Sequence, residues 1–287
     1  MASMRDIRRR IKSVKSTQQI TKAMKIVSAA KLRKVQASLI AARPYAKKVQ
    51  EVMDHLLGSE AEYENALITP RAEVKKVCYV VLAGDRGLCG GYNSQVLRLA
   101  ENEIKAEKAE CGLLLIGKKA RDFFRSKPYK IIGHHVNIGD NPTMVQSIAL
   151  SKYLIEKYLS GEVDEVHVIY SEFISTMNQE PKSVRLLPIP ASEQVEQEKG
   201  LRDLYIFEPG EKAILDVILP QYVQSTVYRM MLEAKAGEHG ARMTSMSAAT
   251  DNAYEIIDKL TLSLNRARQA AITTEISEIV GGAAALE

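Results

Sequence analysis

MSAATDNAYEIIDKLTLSLNRARQA, residues 246–270, is the stretch whose reading decides the fold. Small and apolar side chains recur at Met246, Ala249, Ala253, Ile256, Leu260, Ser263, Ala267 and Ala270. The steps alternate three and four residues, the repeat of a coiled-coil seam. Ile257 and Leu264 widen the stripe on one side. The stretch lies within a helical run spanning 209–287, far longer than an ordinary globular helix. Fully helical, that run would reach roughly 110 Å. One such helix cannot bury its stripe on itself, so a partner helix is required.

The other end of the chain supplies it. Positions 7, 14, 21, 28, 35, 42, 49 and 56 are Ile, Val, Thr, Ser, Val, Ala, Val and Leu. Positions 4, 11, 18, 25, 32, 39, 46 and 53 are Met, Ile, Gln, Lys, Leu, Leu, Ala and Met. This is one heptad register over residues 1–57. It weakens between Gln18 and Ser28, where the apolar side is expected to shift to Ile20, Met24 and Val27. Pro44 and, in the C-terminal helix, Pro220 are expected kinks. Gly58-Ser59 reads as the first helix's end.

Between the helices the period changes. Val77–Leu82 is a buried strand candidate, followed by a glycine-rich loop, Ala83–Asn93, and a helix over Ser94–Ala109. Strands are expected at 113–116, 129–135 and 165–170, and an edge strand at 182–190. Helices are expected at 118–125 and from Asn141-Pro142 to Ser160, and a short strand at Tyr205–Phe207. Alternating strands and helices imply a mainly parallel sheet. The fold class is therefore α/β: a long antiparallel coiled coil of the terminal helices (1–57 and 209–287) with an inserted Rossmann-like α/β domain (58–208). The C-terminal helix is longer, and its end, Gln269–Glu287, should overhang its partner by roughly 30 Å. An unpaired apolar tip carrying Ile276, Ile279 and Val280 calls for a pocket in another protein.

Composition narrows the function. The net charge of +5 is uneven: residues 1–57 hold 14 Lys+Arg against Asp6, Glu51 and Asp54, a net of +11, leaving −6 elsewhere. A basic helix of this kind predicts a polyanionic or acidic partner. Nucleic acid is one alternative, though the helix lacks aromatics for base stacking. A solvated coiled-coil exterior is another. Three cysteines, Cys78, Cys89 and Cys111, form no framework and read as reduced and cytosolic. No apolar run of 18 residues suggests a transmembrane helix. The basic, acid-poor start resembles an organellar transit peptide, but heptads continuous from Ile7 favour a mature helix.

Catalytic chemistry finds little support. Gly87, Gly90 and Gly91 sit at a strand-to-helix turn, the place where phosphates bind, but neither GxGxxG nor GKS/GKT is present. Tight turns and close packing are the favoured reading of these glycines. Cys89 lacks a recognisable base, and a small, partly buried thiol is expected. His134 and His135, adjacent on a strand, point to opposite faces, so no metal site is expected. Asp251, Glu255 and Asp258 share a helix face and read as solvated charges.

Several motifs, in order, resemble one family. Ile11-Lys12-Ser13-Val14 and Thr17–Met24 (TQQITKAM) are similar to the N-terminal motif of the gamma subunit of F-type ATP synthases. Asp85–Gly91 (DRGLCGG) resembles that family's central loop. Ala249–Ala253 (ATDNA), Asn265–Ala270 (NRARQA) and Ile272–Ala283 resemble its C-terminal helix. The resemblance covers the whole chain. It implies a central-stalk rotor, present in a single copy within a ring of three alpha and three beta subunits. It further implies that the α/β domain, with the epsilon subunit, rests on the membrane c ring. Catalysis, ATP/ADP and Mg would belong to the partner subunits, with no cofactor on this chain. The location implied is the cytoplasmic face of the plasma membrane, as a peripheral protein of bacterial type. Matched onto these motifs, Lys22, Met24, Lys25, Arg33, Arg266, Arg268, Gln269, Ile276, Ile279 and Val280 are the expected interface residues for the alpha/beta ring. Gly237 and Gly240 depart from the family pattern and suggest a locally soft helix. No cysteine-bearing insert of the chloroplast kind follows the α/β domain, so no thiol switch is implied.

Overall fold

The computed structural model describes residues 4–57, 65–190, 208 and 210–284. Two helices dominate: α1, Met4–Leu57, and α5, Glu211–Ala284. Between them lie β1 (Lys76–Leu82), α2 (Tyr92–Ala106), β2 (Glu110–Ile116), α3 (Lys118–Phe124), β3 (Lys130–His135), α4 (Met144–Leu159), β4 (Glu165–Phe173) and β5 (Gln179–Leu187). The α/β alternation and every strand expected within the described residues are present. Tyr205–Phe207 and Gly58-Ser59 fall outside them. Two details differ. Helix α4 starts at Met144, because Thr143 caps it in a reciprocal box with Gln146. Helix α2 starts at Tyr92, two residues before the expected Ser94; Pro44 and Pro220 lie inside α1 and α5.

The chain divides into two compact units, one of Met1–Ser28 with Met243–Glu287, the other Ala29–Arg242. In the larger unit the sheet order is β3-β2-β1-β4-β5. The first four strands are parallel, and β5 joins β4 antiparallel at an edge that tolerates Pro181. Alternate residues of β1 serve two cores. Cys78, Val80 and Leu82 face a layer made by α4 and parts of α1 and α5, including Met53, Leu56, Leu154, Val223 and Met230. Val77, Tyr79 and Val81 face α2 and α3, including Val96, Ala100 and Phe124. The central strand is thus apolar on both sides, as a doubly covered parallel sheet requires.

In the smaller unit α1 and α5 pair antiparallel. Thr21 Oγ1 and Thr250 Oγ1 lie 2.8 Å apart, and Lys25 Nζ donates to Ser247 Oγ at 2.9 Å. The heptad register of α1 is the one expected: Ile7, Thr21 and Ser28 are buried, Val14 half-buried. The expected shift toward Ile20 and Val27 does not occur; both are exposed, at 58% and 51%. Small hydroxyl residues hold the seam there, since Thr21 shares a hydrogen bond with Thr250, and Thr250 donates to the Met246 carbonyl. The seam of α5 lies one residue from the expected stripe at several positions. It runs through Met246, Thr250, Ala253, Ile257, Leu260, Leu264 and Ala267, while Ile256, Ser263 and Ala270 are exposed.

Candidate partner interface and the glycine-rich loop

The Asp85–Gly91 loop follows β1 at the point where the strand order reverses between β1 and β4. In doubly wound sheets this crevice, at the carboxyl ends of the strands, receives nucleotides. Here the chain fills it with its own helix. Glu238 and His239 of α5 are 4% and 1% exposed, and Arg242 is also buried. Arg242 Nη2 donates to Glu238 Oε1 at 2.7 Å, and its Nε to the Gly87 carbonyl at 3.2 Å. A longer contact joins Nη2 to the Arg86 carbonyl at 3.4 Å. Lys235 Nζ reaches the second Glu238 oxygen at 2.8 Å. A cavity of about 20 Å³ remains between the loop and α5, room for about one water and far below the several hundred Å³ of a ligand site.

The electrostatics fit a closed lock. Burial opposes ionisation of Glu238, but the Lys235 and Arg242 charges outweigh it and hold the carboxyl below its ordinary value. Burial also lowers His239. Its Nε2 donates to the Asp140 carbonyl at 3.0 Å while Nδ1 accepts from Arg242, so both nitrogens of a neutral ring are used. Asp140 in turn pairs with Lys31 of α1 at 2.9 Å.

The loop's backbone is set by its own polar groups. Asp85 Oδ1 accepts from the Lys118 and Asn137 amides, and Asn93 Oδ1 from the Gly84 amide. Gly90 has φ +56°, which costs a glycine little. Cys89 is fully buried rather than partly so, burial pushes its thiol up, and Asn93 donates to its sulfur. A buried, protonated thiol is a poor nucleophile. Cys78 is pushed up to about 12 by burial.

Gly237 and Gly240 are close-packing positions, not soft points. A Cβ on Gly237 would lie 3.0 Å from Tyr92 Cε2, and one on Gly240 3.4 Å from Phe173 Cε2. Tyr92 is itself held, its hydroxyl donating to the Ala234 carbonyl. These glycines let α5 sit against α2 and the β4–β5 turn.

The expected interface residues lie largely at the surface. Lys22, Lys25, Arg33, Arg266, Arg268 and Gln269 are exposed and Met24 is half-buried. Ile276, Ile279 and Val280 are 56%, 67% and 62% exposed. Every described side chain from Arg268 to Gly282 is exposed. Extending the Thr21–Thr250 pairing residue by residue brings Met4 opposite Ala267, where cover ends. The tip is more than an uncovered end, however. At ~100° per residue, Ile276 lies about half a turn around α5 from Ala267. Ile272, Ile276, Ile279 and Val280 share an arc of about 100° on that far side. The seam's own continuation there is Ala271, Thr274 and Glu278. A longer α1 would therefore still leave the apolar stripe bare.

Sequence reasoning missed other exposed apolar residues in this unit: Ile26, Tyr254, Leu262 and Ile272. Ile20, Val27 and Ile256, expected on the buried stripe, are exposed as well. Their common signal is a large apolar side chain one or two positions off a seam that must first be placed correctly.

Comparison with known proteins agrees with this architecture. The family described as ATP synthase matches residues 3–286. An ATP synthase gamma chain of Desulforamulus reducens is 52% identical over 287 residues, covering 100% of both chains. That of Heliobacterium modesticaldum is 51% identical over 291 residues, again covering 100% of both. Among solved structures, a chain of the Tetrahymena thermophila mitochondrial ATP synthase central stalk/c-ring is 25% identical with TM-score 0.59, covering 80% of this chain and 99% of that one. A chain from the Euglena gracilis mitochondrial ATP synthase OSCP/F1/c-ring assembly shares the fold, at TM-score 0.69 and 17% identity, covering 99% and 94%. The paired terminal helices, the inserted sheet and full-length identity near one half together establish that the chain belongs to the ATP synthase gamma-chain family.

Proposed function

We infer that the bare face of α5 beyond Ala267, together with the basic surface of α1, is where this central-stalk subunit meets the subunits it turns within. The observation that carries this reading is the apolar arc of Ile272, Ile276, Ile279 and Val280, half a turn from the intrachain seam. An apolar stripe of that length in water calls for a cover. The cover proposed is a sleeve of three alpha and three beta subunits around a single copy of this chain. Lys22, Lys25, Arg33, Arg266 and Arg268 meet acidic loops of that sleeve, with Met24 and Gln269 beside them. Epsilon and the c ring are the partners proposed for the α/β domain.

The chain transmits torque and supplies no catalytic residue. Support comes from the crevice between β1 and β4, which Glu238 and Arg242 occupy from within. In this reading ATP, ADP and Mg belong to the partner subunits. Among the described residues no helix is long and apolar enough to cross a membrane. The proposed place is peripheral, at the cytoplasmic face of the plasma membrane. Nothing in the comparisons supports the nucleic-acid alternative. Several basic residues of α1 outside the proposed interface have acidic partners within the chain, among them Lys31, Lys47 and Lys48.

Ile279→Asp tests the interface. The isolated chain should fold and melt as before, since Ile279 touches no core. Recovery of alpha/beta subunits in a pull-down should fall, because a desolvated carboxylate without a partner costs on the order of several kcal/mol. Equal recovery, with the tip still protected from protease in the complex, would remove the tip from the interface.

A further inference from the structure

The packing between α1 and α5 in the larger unit is interrupted. Leu32 and Val35 of α1 are 4% and 0% exposed, and Val49 and Met53 are 6% and 1%. The seam positions between them, Leu39, Ala42 and Ala46, are only half-buried. Two alanines in successive seam layers leave room that larger side chains fill above and below. The result is a cavity of about 460 Å³, walled by Leu39, Ala42, Ala46, Met144, Phe173 and Tyr228. Through Ala46, Ser225 and Arg229 it adjoins a second space of about 240 Å³ that reaches Gln50. Leu39 to Gln50 is eleven residues of helix, roughly 16 Å of trough. The larger space joins an apolar side, Leu39, Ala42, Ala46, Met144 and Phe173, to a polar one that holds Tyr45, Ser225 and Tyr228 with the charged groups, and that volume with such a mixed lining suits a small amphiphile.

The polar groups give its sign. Arg43 from α1 and Arg229 from α5 both line the cavity and are exposed. Glu233 is the one acidic group in the lining, with Oε1 3.6 Å from Arg229 Nη1. The charge around the opening is therefore net positive, and guanidinium groups bind carboxylates and phosphates in a fork.

We propose that this trough binds a single-chain anionic amphiphile: the alkyl chain lies along Leu39, Ala42, Ala46 and Phe173, and the carboxylate or phosphate head meets Arg43 and Arg229. The alkyl chain occupies space that no described side chain fills. A free fatty acid and an anionic lipid offer the same chemistry.

Decanoate below its micelle concentration, titrated into the full chain by calorimetry, tests this. Saturable binding at one site is expected, with decyltrimethylammonium at least about tenfold weaker, since the head loses its charge-assisted hydrogen bonds. Ala42→Leu with Ala46→Leu fills the trough and should abolish decanoate binding without lowering the melting temperature. If that variant fails to fold, Arg43→Gln with Arg229→Gln serves instead and should erase the preference for decanoate over the cation. Lysophosphatidylglycerol below its micelle concentration, bound by the wild-type chain and not by the filled variant, would assign the site to a single-chain lipid; decanoate binding without it assigns the site to a free fatty acid. Absence of saturable binding, equal binding of both head groups, or binding unchanged in a folded Ala42→Leu/Ala46→Leu chain would overturn the proposal.

Discussion

Replacing Arg242 by Ala should destabilise the larger unit severely. Its side chain is 9% exposed and serves four acceptors: Glu238, His239 Nδ1 and the carbonyls of Arg86 and Gly87. Removal leaves Glu238 buried with only Lys235 beside it and takes from the Gly87 carbonyl its Arg242 donor, while the Arg86 carbonyl keeps Asn93 Nδ2 at 3.2 Å. Breaking a buried pair from one side costs about 3–5 kcal/mol. For a unit of this size each kcal/mol shifts the midpoint by about 2–4 °C, so a loss of roughly 6–20 °C is expected. Circular dichroism melting of the isolated chain measures it. Hydrogen exchange at Arg86–Tyr92 locates it, since loosening should concentrate in that loop. Arg242→Lys keeps the charge but not the fork and should fall between. Lys259→Ala, which breaks a pair 77% and 70% exposed, is the control and should leave the melt unchanged. A midpoint for Arg242→Ala within about 2 °C of wild type, with loop exchange unaltered, would refute the lock.

Gly237→Ala should destabilise despite the gain of about 1 kcal/mol in helix propensity, because Tyr92 cannot retreat from a Cβ 3.0 Å away. Gly281→Ala, with nothing within 4 Å, should raise helicity instead; the two measured by circular dichroism should move in opposite directions. Lys22→Glu with Lys25→Glu should impair coupling of ATP synthesis to proton flow in vesicles while barely moving the melting temperature, and normal coupling would sink their proposed role. Acid should act in two stages. The folded state keeps His239 below its ordinary 6.5, so the unfolded chain takes that proton first and stability falls as pH drops below 6.5. Glu238 and Asp164 are held below 4.5 and 3.8, so their contributions are complete above those values and lost as pH falls toward the folded-state ones. His239→Gln should flatten the upper stage in melts between pH 8 and pH 3, and an unchanged upper stage would remove His239 as its source.

The periodicity of α1 was legible because one register, Ile7 to Leu56, outweighed its polar members. Reading its weak stretch by hydropathy alone misplaced the stripe, since Thr21 and Thr250 enter a seam once each hydroxyl has an acceptor. The same preference for Ala249 and Ile256 over Thr250 and Ile257 moved part of the α5 seam by one residue. Such errors matter for function, because the residues wrongly assigned to the core, Ile20, Val27 and Ile256, are the ones left bare. The Glu238–His239–Arg242 cluster was illegible for a different reason. Charges at i and i+4 on a helix normally read as a solvated pair, and only the arrival of the Asp85–Gly91 loop buries them. That loop's glycines were correctly separated from phosphate binding by their spacing, but what replaces the phosphate, a carboxylate and guanidinium from the chain's own helix, is a tertiary fact. The tip shows the converse. Its apolar residues were visible at once, yet their meaning depends on angle: Ile276 faces away from the side on which α1 packs. An uncovered end of a seam would need only a longer partner helix. A stripe on the opposite face needs a separate surface, and that places the requirement for a partner in the geometry of α5 itself.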